Sequence, residues 1–221
     1  MKNLKAAFLV VVLCFAQNLK SQNILPPQKV FSLYFDSFVK YDDDSLKELN
    51  SYLINFLGKE NTHKMSLQES YDQKVESFTN IFLSNLSAEV SSACKNEARE
   101  YFKVLIGNFK NATCSIREIK TVSDEQVKGQ EFSQVDYEVT FKVPSLPSQI
   151  NMGDLKKIGP GEMKKYLIDM TNNLKNTDKV VSTHQKFNLY QVKYGTDTYY
   201  WNGGPQEMAW KLNDFYFKNI N

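Results

Sequence analysis

The chain has 221 residues, and its 27 Lys and Arg against 25 Asp and Glu give a formal net charge of +2. Hydrophobic residues make up 42% and aromatic residues 13% of it, so the composition excludes an intrinsically disordered protein. The length suffices for one sizeable domain or two small ones.

Residues 1–21 have the pattern of a secretory signal peptide, in which a short basic start precedes an unbroken apolar run at 6–16. This run is too short for a membrane-spanning helix, which needs about 20 apolar residues. We expect cleavage after Ser21, with Ala16 as the alternative site, and therefore a secreted or periplasmic protein. No later segment reaches spanning length, so we predict no transmembrane segment after cleavage.

The predicted signal peptide accounts for the excess of basic over acidic residues in the chain. Lys2, Lys5 and Lys20 are three of the 27 basic residues, so the mature chain keeps 24 against 25 acidic residues, a formal net charge of −1. Long-range attraction to a polyanion needs a clustered basic surface. We therefore predict no nucleic-acid partner.

Two cysteines, Cys94 and Cys114, remain in the mature chain. In an oxidising compartment such a pair is most simply a disulfide, and its loop of about 20 residues would stabilise the fold by roughly 3 kcal/mol. The bridge requires the chain to double back along a helix about 23 Å long. A free nucleophilic thiol is the alternative.

Apolar residues recur at helical spacing in the first half of the chain. They predict helices within 29–41, 42–58 and 67–86, and from about 94 to 109. Ser45 and Glu48 have the spacing of a capping box for the second of these helices.

The second half changes to the period of β-strands. At 132–144 apolar residues alternate with polar ones, as a sheet with one solvated face requires. Other strands are predicted at 112–122, 183–195, 196–204 and 207–219, and a helix at 161–176.

This order of elements predicts an α+β fold, in which N-terminal helices pack on a C-terminal curved antiparallel sheet of about five strands with one inserted helix. We expect 22–221 to form a single domain, with its helical part at about 28–110 and its sheet part at about 113–218. A split into two domains near residue 112 is the alternative.

The stretch 198–217 holds seven aromatic side chains around an Asn-Gly-Gly-Pro break. As a hairpin, its turn would join two strands. Met208, Trp210 and Leu212 would then share a face, with a bulge at 213–214. Burial of the rings in a core is sufficient reason for this composition, since each buried ring contributes about 1.5–3 kcal/mol.

The alternative interpretation of these aromatic residues is a binding surface. Tyr190, Tyr194, Tyr200 and Trp201 would line an exposed or concave face that stacks on a sugar ring or accepts an apolar anchor of another protein. Tyrosine is favoured at interfaces because it combines contact area with a hydrogen-bonding tip. This interpretation predicts an unidentified protein or glycan partner in the cell envelope.

The tyrosine-rich strand, the aromatic turn and the ending AWKLNDFYF resemble the terminal hairpin of secreted nuclear-transport-factor-two-like or cystatin-like domains. The resemblance covers about 94–219. It implies an antiparallel sheet curled around a helix, with a conical pocket. Members of these families include enzymes, binding modules and immunity-type inhibitors, so the resemblance selects no function.

The sequence gives weak signals for catalysis, and we predict neither a cofactor nor a metal. His63 and His184 lie far apart and lack a zinc-binding spacing. The acidic run at 42–44 is typical of a helix start rather than of a calcium loop. Asp136 and Glu138 are candidates for an acidic pocket only if the polar face of their strand is concave.

The stretch 158–165 is rich in glycine and lysine but lacks the ending of a phosphate-binding loop, and Pro160 is better explained as the stiff start of a helix. Four lysines form either a basic patch for an anionic partner or a solvated helix face, namely Lys156, Lys157, Lys164 and Lys165.

These observations together predict a secreted or periplasmic, non-catalytic binding protein of unidentified ligand, in which a protein partner is one option. The alternative is a small-molecule carrier or an enzyme with a conical pocket, where a residue such as Asp136 would act as the base.

Overall fold

The computed structural model describes residues 24–58, 71–124, 129–145, 158–194 and 196–220. The predicted signal peptide lies outside these ranges, as do most of the segments 58–66 and 146–161, for which the sequence predicts a polar connection and a loop. The described chain forms six helices: α1 (Pro27–Phe38), α2 (Asp43–Leu57), α3 (Tyr71–Ser84), α4 (Ala88–Lys110), α5 (Pro160–Lys175) and α6 (Gln206–Ile220). It also forms four strands: β1 (Thr113–Ser123), β2 (Glu131–Pro144), β3 (Thr177–Tyr194) and β4 (Asp197–Trp201).

The four strands form one antiparallel sheet in the order β1-β2-β3-β4. α5 is the inserted helix, since it lies between β2 and β3 in the chain. The α+β class and the antiparallel sheet are therefore confirmed. The described chain has four strands where about five were predicted, because the segment 207–219 is helical.

The prediction of a last strand was wrong, and so was the bulge at 213–214, since both lie in α6. Buried side chains recur there every four residues, at Met208, Leu212, Tyr216 and Ile220, which is helical spacing. Trp210 lies about 200° around the helix from Met208, at 100° per residue. It is 69% exposed, so it does not share a face with Met208 and Leu212.

The Asn-Gly-Gly-Pro turn joins a strand to a helix. The first turn of α6 begins with bonds from the Glu207 N–H to the Gly204 carbonyl (3.1 Å) and from the Met208 N–H to the Pro205 carbonyl (3.2 Å). A side chain at Gly203 would place its Cβ 3.1 Å from the ring of Trp201. Glycine lets the indole lie close against the turn, and a larger residue would require the ring to shift.

The core lies on the apolar face of β2, whose alternating residues 135, 137, 139, 141 and 143 are buried as predicted. Phe31 of α1 covers Tyr137, with ring centroids 4.7 Å apart. Phe109 at the end of α4 and Tyr216 of α6 cover Phe141, at 5.3 and 5.5 Å. α6 therefore helps to cover the sheet, whereas this role was predicted for the N-terminal helices alone.

A second core cluster joins α3, α4 and α5, with its members at Leu83, Val90, Cys94, Ala98, Met163 and Leu167. α4 therefore packs in two places. Its first half packs against α3 and α5, and Phe109 in its last turn packs against the sheet.

The predicted disulfide is not formed, because Cys94 and Cys114 are both free thiols. Cys94 is in the second cluster, whereas Cys114 is the second residue of β1 and packs against the sheet core. About 24 Å of helix separates Cys94 from Lys110 at the end of α4, far beyond the reach of a disulfide. Burial raises the pKa of Cys114 to about 12, so its thiol is a poor nucleophile.

Side chains form hydrogen bonds with backbone N–H groups at the starts of α2 and α5. Asp42, and not Ser45, caps α2, since its carboxylate accepts from the Ser45 N–H at 2.8 Å. The predicted capping box is therefore wrong, and Glu48 instead pairs with Lys29 at 3.0 Å. At α5 the Glu162 carboxylate accepts from the Gly159 N–H at 3.2 Å, with Pro160 in the first turn as predicted.

Candidate functional site

The structure brings two of the predicted surface residues together, Tyr190 and Trp201. They are opposite each other in β3 and β4, with ring centroids 6.1 Å apart. Phe132 of β2 lies on the other side of Tyr190, at 6.2 Å. These three half-buried rings form a row across the sheet, which we call the aromatic row.

The other two predicted surface residues do not extend the aromatic row. Tyr200 is opposite Gln191, and it points to the other face because neighbouring residues of a strand alternate. Tyr194 ends β3 opposite Asp197, and its side chain lies outside the described part of the structure. The four residues therefore do not make one surface, and a partner at Tyr190 and Trp201 stays a prediction.

Two tyrosine hydroxyls from the helices cover the outer edge of β4. Tyr52 Oη accepts from the Tyr200 N–H at 2.8 Å. Tyr34 Oη accepts from the Asn202 N–H at 2.9 Å and donates to the Asn202 carbonyl at 3.1 Å. Burial raises the pKa of Tyr52 to about 12, so its hydroxyl stays protonated at neutral pH. This edge is therefore fixed to α1 and α2.

Asp136 and Glu138 point away from the covering helices, because they alternate with the buried residues of β2. Glu138 forms an ion pair with Arg117 of β1, and His184 Nε2 of β3 is 3.6 Å from its carboxylate. Asp136 is opposite Lys186 in β3. Both carboxylates thus belong to the polar face of the sheet, where cross-strand charges accompany them.

Of the four predicted patch lysines, Lys164 and Lys165 fall in the described chain, and Lys156 and Lys157 lie outside it. Lys164 pairs with Glu97 at 2.9 Å, and this bond lowers the pKa of the Glu97 carboxyl. The pairing reduces the positive field that the predicted patch would need.

A concave surface lies between four of the helices, where the sequence predicted no site. It is a groove of about 520 Å³ between the end of α1, the start of α2, α3 and α6. We call it the Trp210 groove. Its lining residues are Ser37, Phe38, Tyr41, Leu46, Lys74, Phe78, Gln206, Ala209, Trp210 and Asn213.

Trp210 is in the groove because of where α6 places it. The stripe from Met208 to Ile220 turns toward the core, so a residue on the opposite side of the helix remains at the surface. Trp210 is the most exposed large hydrophobic residue of the described chain, at 69%. An exposed indole on the wall of an apolar groove is a usual feature of a binding site.

Ser37 is the one buried side chain of the described residues whose hydroxyl lacks a hydrogen-bond partner. It is 8% exposed and lines the groove. The other buried hydroxyls are bonded. Thr79 and Thr171 each donate to the carbonyl four residues earlier at 2.7 Å, and Ser133 Oγ accepts from Gln191 at 3.3 Å. Ser37 is therefore the exception among these buried hydroxyls.

Tyr41 adds a strained backbone to the same groove. Its φ of 54° is in the left-handed region, and it is the only described residue other than glycine there. Such a conformation costs a bulky residue about 1–3 kcal/mol, and strain of this kind concentrates at functional sites. Burial also raises the pKa of the Tyr41 hydroxyl to about 12.

The described lining of the groove includes no His, Cys, Asp or Glu. Lys74 carries the one formal charge of these lining residues. Across the described ranges, no three His, Cys, Asp or Glu side chains come close enough to hold a metal ion.

A smaller cleft of about 250 Å³ lies beside Tyr190, between β3 and the start of α6. Three of its amide side chains are linked by hydrogen bonds. Asn202 Nδ2 donates to the Asn188 carbonyl at 2.7 Å, and Gln134 Nε2 donates to Asn188 Oδ1 at 3.3 Å. This cleft has about half the volume of the Trp210 groove, which is therefore the stronger candidate.

No family model, no curated protein and no solved structure matches this chain. The expected likeness to nuclear-transport-factor-two-like or cystatin-like domains rested on a terminal hairpin, and α6 replaces that hairpin. The site is therefore argued from its geometry alone. None of the described helices is long and apolar enough to cross a membrane.

Sequence reasoning missed both Trp210 and Ser37 as site residues. The signal for Trp210 was present, because four apolar residues spaced every four positions define a helix whose far side carries the indole. No comparable signal existed for Ser37. A serine within an aromatic helix gives no sign of whether its hydroxyl will find a partner.

Proposed function

We propose that the protein is a non-catalytic binding protein, secreted or periplasmic, that holds its ligand in the Trp210 groove. The observation that carries this proposal is the 69% exposed ring of Trp210 on the wall of a groove with further aromatic lining. A large apolar side chain exposed at a concave surface marks a binding groove.

The size and lining of the groove support this function. Its volume of about 520 Å³ is in the range of small-molecule sites, roughly 300–1,000 Å³. Such sites are lined mainly by apolar and aromatic groups, with a few polar groups that orient the ligand. Phe38, Tyr41, Phe78 and Trp210 supply the rings, and Gln206 and Asn213 are among the polar lining residues.

The alternative, a conical pocket between sheet and helices with Asp136 as a base, has less support. Val135 and Val139 are 0% exposed and Tyr137 is 1% exposed, so side chains fill the covered face of β2. Asp136 alternates with these residues and points to the other side of the sheet.

Fluorescence of Trp210 tests the proposal directly. The chain has two tryptophans, so Trp201→Phe leaves Trp210 as the single reporter. We expect the neutral apolar dye N-phenylnaphthylamine to bind at one saturable site, with energy transfer from Trp210, and to be recovered unchanged. Trp210→Ala should abolish the saturable binding, as judged by dye fluorescence. Binding that is non-saturable, or that Trp210→Ala does not weaken, contradicts the proposal.

Export is a separate part of the proposal, supported by the basic start and apolar run of the leader. We expect the protein expressed in its native host to be recovered from the periplasm or the medium, with Gln22 as its first residue. Mass spectrometry of the intact protein measures this. Recovery of the full-length chain from the cytosol would overturn the localisation and leave the groove untouched.

A further inference from the structure

We infer that the ligand of the Trp210 groove is a neutral carbohydrate, with the C–H face of one sugar ring on the indole of Trp210 and its hydroxyls bonded to Tyr41 and Asn213. This inference rests on the proposed function and adds the chemical class of the ligand. It follows from the exposed ring, from two accessible polar side chains and from the charge of the described lining.

Tyr41 and Asn213 offer polar groups that a ligand can reach. Neither side chain forms a hydrogen bond with another described residue, whereas Asn219, later in α6, donates to the Phe215 carbonyl at 2.8 Å. Among the described residues, the one inaccessible side-chain oxygen or nitrogen without a partner belongs to Ser37. The unbonded polar atoms of Tyr41 and Asn213 are therefore accessible from the groove that these residues line.

A sugar hydroxyl complements both of these groups. The phenol of Tyr41 and the amide of Asn213 can each donate and accept a hydrogen bond, and so can a sugar hydroxyl. An alkyl chain can do neither, so it would cover the two groups and remove their hydrogen bonds to water without replacing them. Burial raises the pKa of Tyr41 to about 12, so its hydroxyl remains a neutral donor at pH 7.

The helix brings Asn213 beside the indole. Trp210 and Asn213 are three positions apart in α6, and side chains at this spacing lie on one face with their Cβ atoms about 5–6 Å apart. A pyranose ring has an apolar C–H face, which can pack on an aromatic ring, and hydroxyls around its edge. A sugar on the exposed face of Trp210 therefore brings hydroxyls at its edge next to Asn213.

The charge of the groove favours a neutral sugar over an acidic or amino sugar. Lys74 carries the one formal charge of the described lining, and it already interacts with another group of the protein. A charged ligand would lose part of its hydration in the groove without gaining a counter-charge from these residues.

Displacement of the apolar dye tests the inference. N-phenylnaphthylamine is bound to the Trp201→Phe protein, and maltose, cellobiose, lactose and N,N′-diacetylchitobiose are then titrated separately. We expect at least one of these neutral disaccharides to release the dye at a saturable site and to change the fluorescence of Trp210. Added salt should change the affinity of that sugar by less than about two-fold, because no charged contact takes part.

Matched variants assign the effect to residues. Asn213→Leu keeps the approximate size of the side chain without its polar atoms, and Tyr41→Phe removes only the hydroxyl. Each should weaken the binding of the sugar on the order of ten-fold and that of the dye by less than about two-fold. Asn219→Ala, in the same helix, and Tyr190→Phe, on the aromatic row, are the controls. Thermal unfolding of each variant confirms that it is folded.

The outcomes separate the two proposals. Binding of the dye that none of the four disaccharides displaces overturns the inference and leaves the groove as a binding site. The same holds for sugar binding that Asn213→Leu and Tyr41→Phe leave unchanged, or that added salt abolishes. Failure of both the dye and the sugars to bind contradicts the proposed function as well.

Discussion

Two hydroxyls of α1 lie one turn apart and have opposite surroundings. Tyr34 is 0% exposed and makes two hydrogen bonds with the backbone of Asn202, at 2.9 and 3.1 Å. Ser37 is almost as buried and makes none among the described residues. The first joins helix and sheet edge into one packed region, and the second belongs to a residue that lines the Trp210 groove.

This difference separates the aromatic residues that stabilise the fold from those that line the groove. On the packed side, rings contact rings and hydroxyls are satisfied, so the side chains define the fold. On the groove side, an exposed indole, an unsatisfied hydroxyl and the strained backbone of Tyr41 occur together. Backbone strain clusters at functional sites, which is consistent with the proposed role of the groove.

Truncation of Tyr199 should have the largest effect on stability. This side chain is 0% exposed and stacks on Phe56 of α2, with ring centroids 4.7 Å apart. Tyr199→Ala should lower the free energy of unfolding by about 3–5 kcal/mol, the usual cost of removing a buried ring. Urea unfolding followed by circular dichroism measures it, and a loss below about 1 kcal/mol would show that the edge of β4 is not packed as described.

Removal of the Tyr34 hydroxyl should have the second largest effect. Tyr34→Phe keeps the ring but leaves the N–H and carbonyl of Asn202 without their partner. We expect the free energy of unfolding to fall by about 1–3 kcal/mol. Tyr190→Phe, on the half-exposed aromatic row, is the control and should change it by less than about 0.5 kcal/mol.

Ser37→Ala should act in the opposite direction and stabilise the protein by about 1 kcal/mol. The change removes an unpartnered buried hydroxyl and introduces a better helix former. The contrasting control is Thr79→Val, which removes a buried hydroxyl that is bonded at 2.7 Å and should therefore destabilise the protein. If chemical denaturation shows that both changes destabilise, Ser37 has a partner in solution and the comparison fails.

Trp210→Ala should have the smallest effect on stability. The side chain is 69% exposed, so its removal should change the free energy of unfolding by less than about 0.5 kcal/mol. The same variant should lose the binding of the apolar dye. A large loss of stability would mean that Trp210 is part of the core and not a wall of the groove.

Much of the fold could be predicted from the pattern of the sequence. The alternation of β2 and the helical spacing of α1 to α5 are local signals, since each residue's face follows from its position in the element. α6 was mistaken because aromatic content and a preceding Asn-Gly-Gly-Pro turn favoured a hairpin. The four-residue spacing of Met208, Leu212, Tyr216 and Ile220 is the signal that contradicts it.

The disulfide and the site could not be predicted in this way. Whether Cys94 and Cys114 meet depends on how α4 lies against the sheet, and the helix keeps them apart. The groove needs α1, α2, α3 and α6 at once, so no single segment describes it.

The sequence by itself determined which faces of the elements are apolar, because side-chain direction repeats with the local backbone. Only the tertiary structure decided which polar atoms remain without a partner, because a hydrogen bond depends on the position of a second residue distant in the chain. Tyr34 meets Asn202 across 168 positions, whereas Ser37 lies at the groove without such a contact.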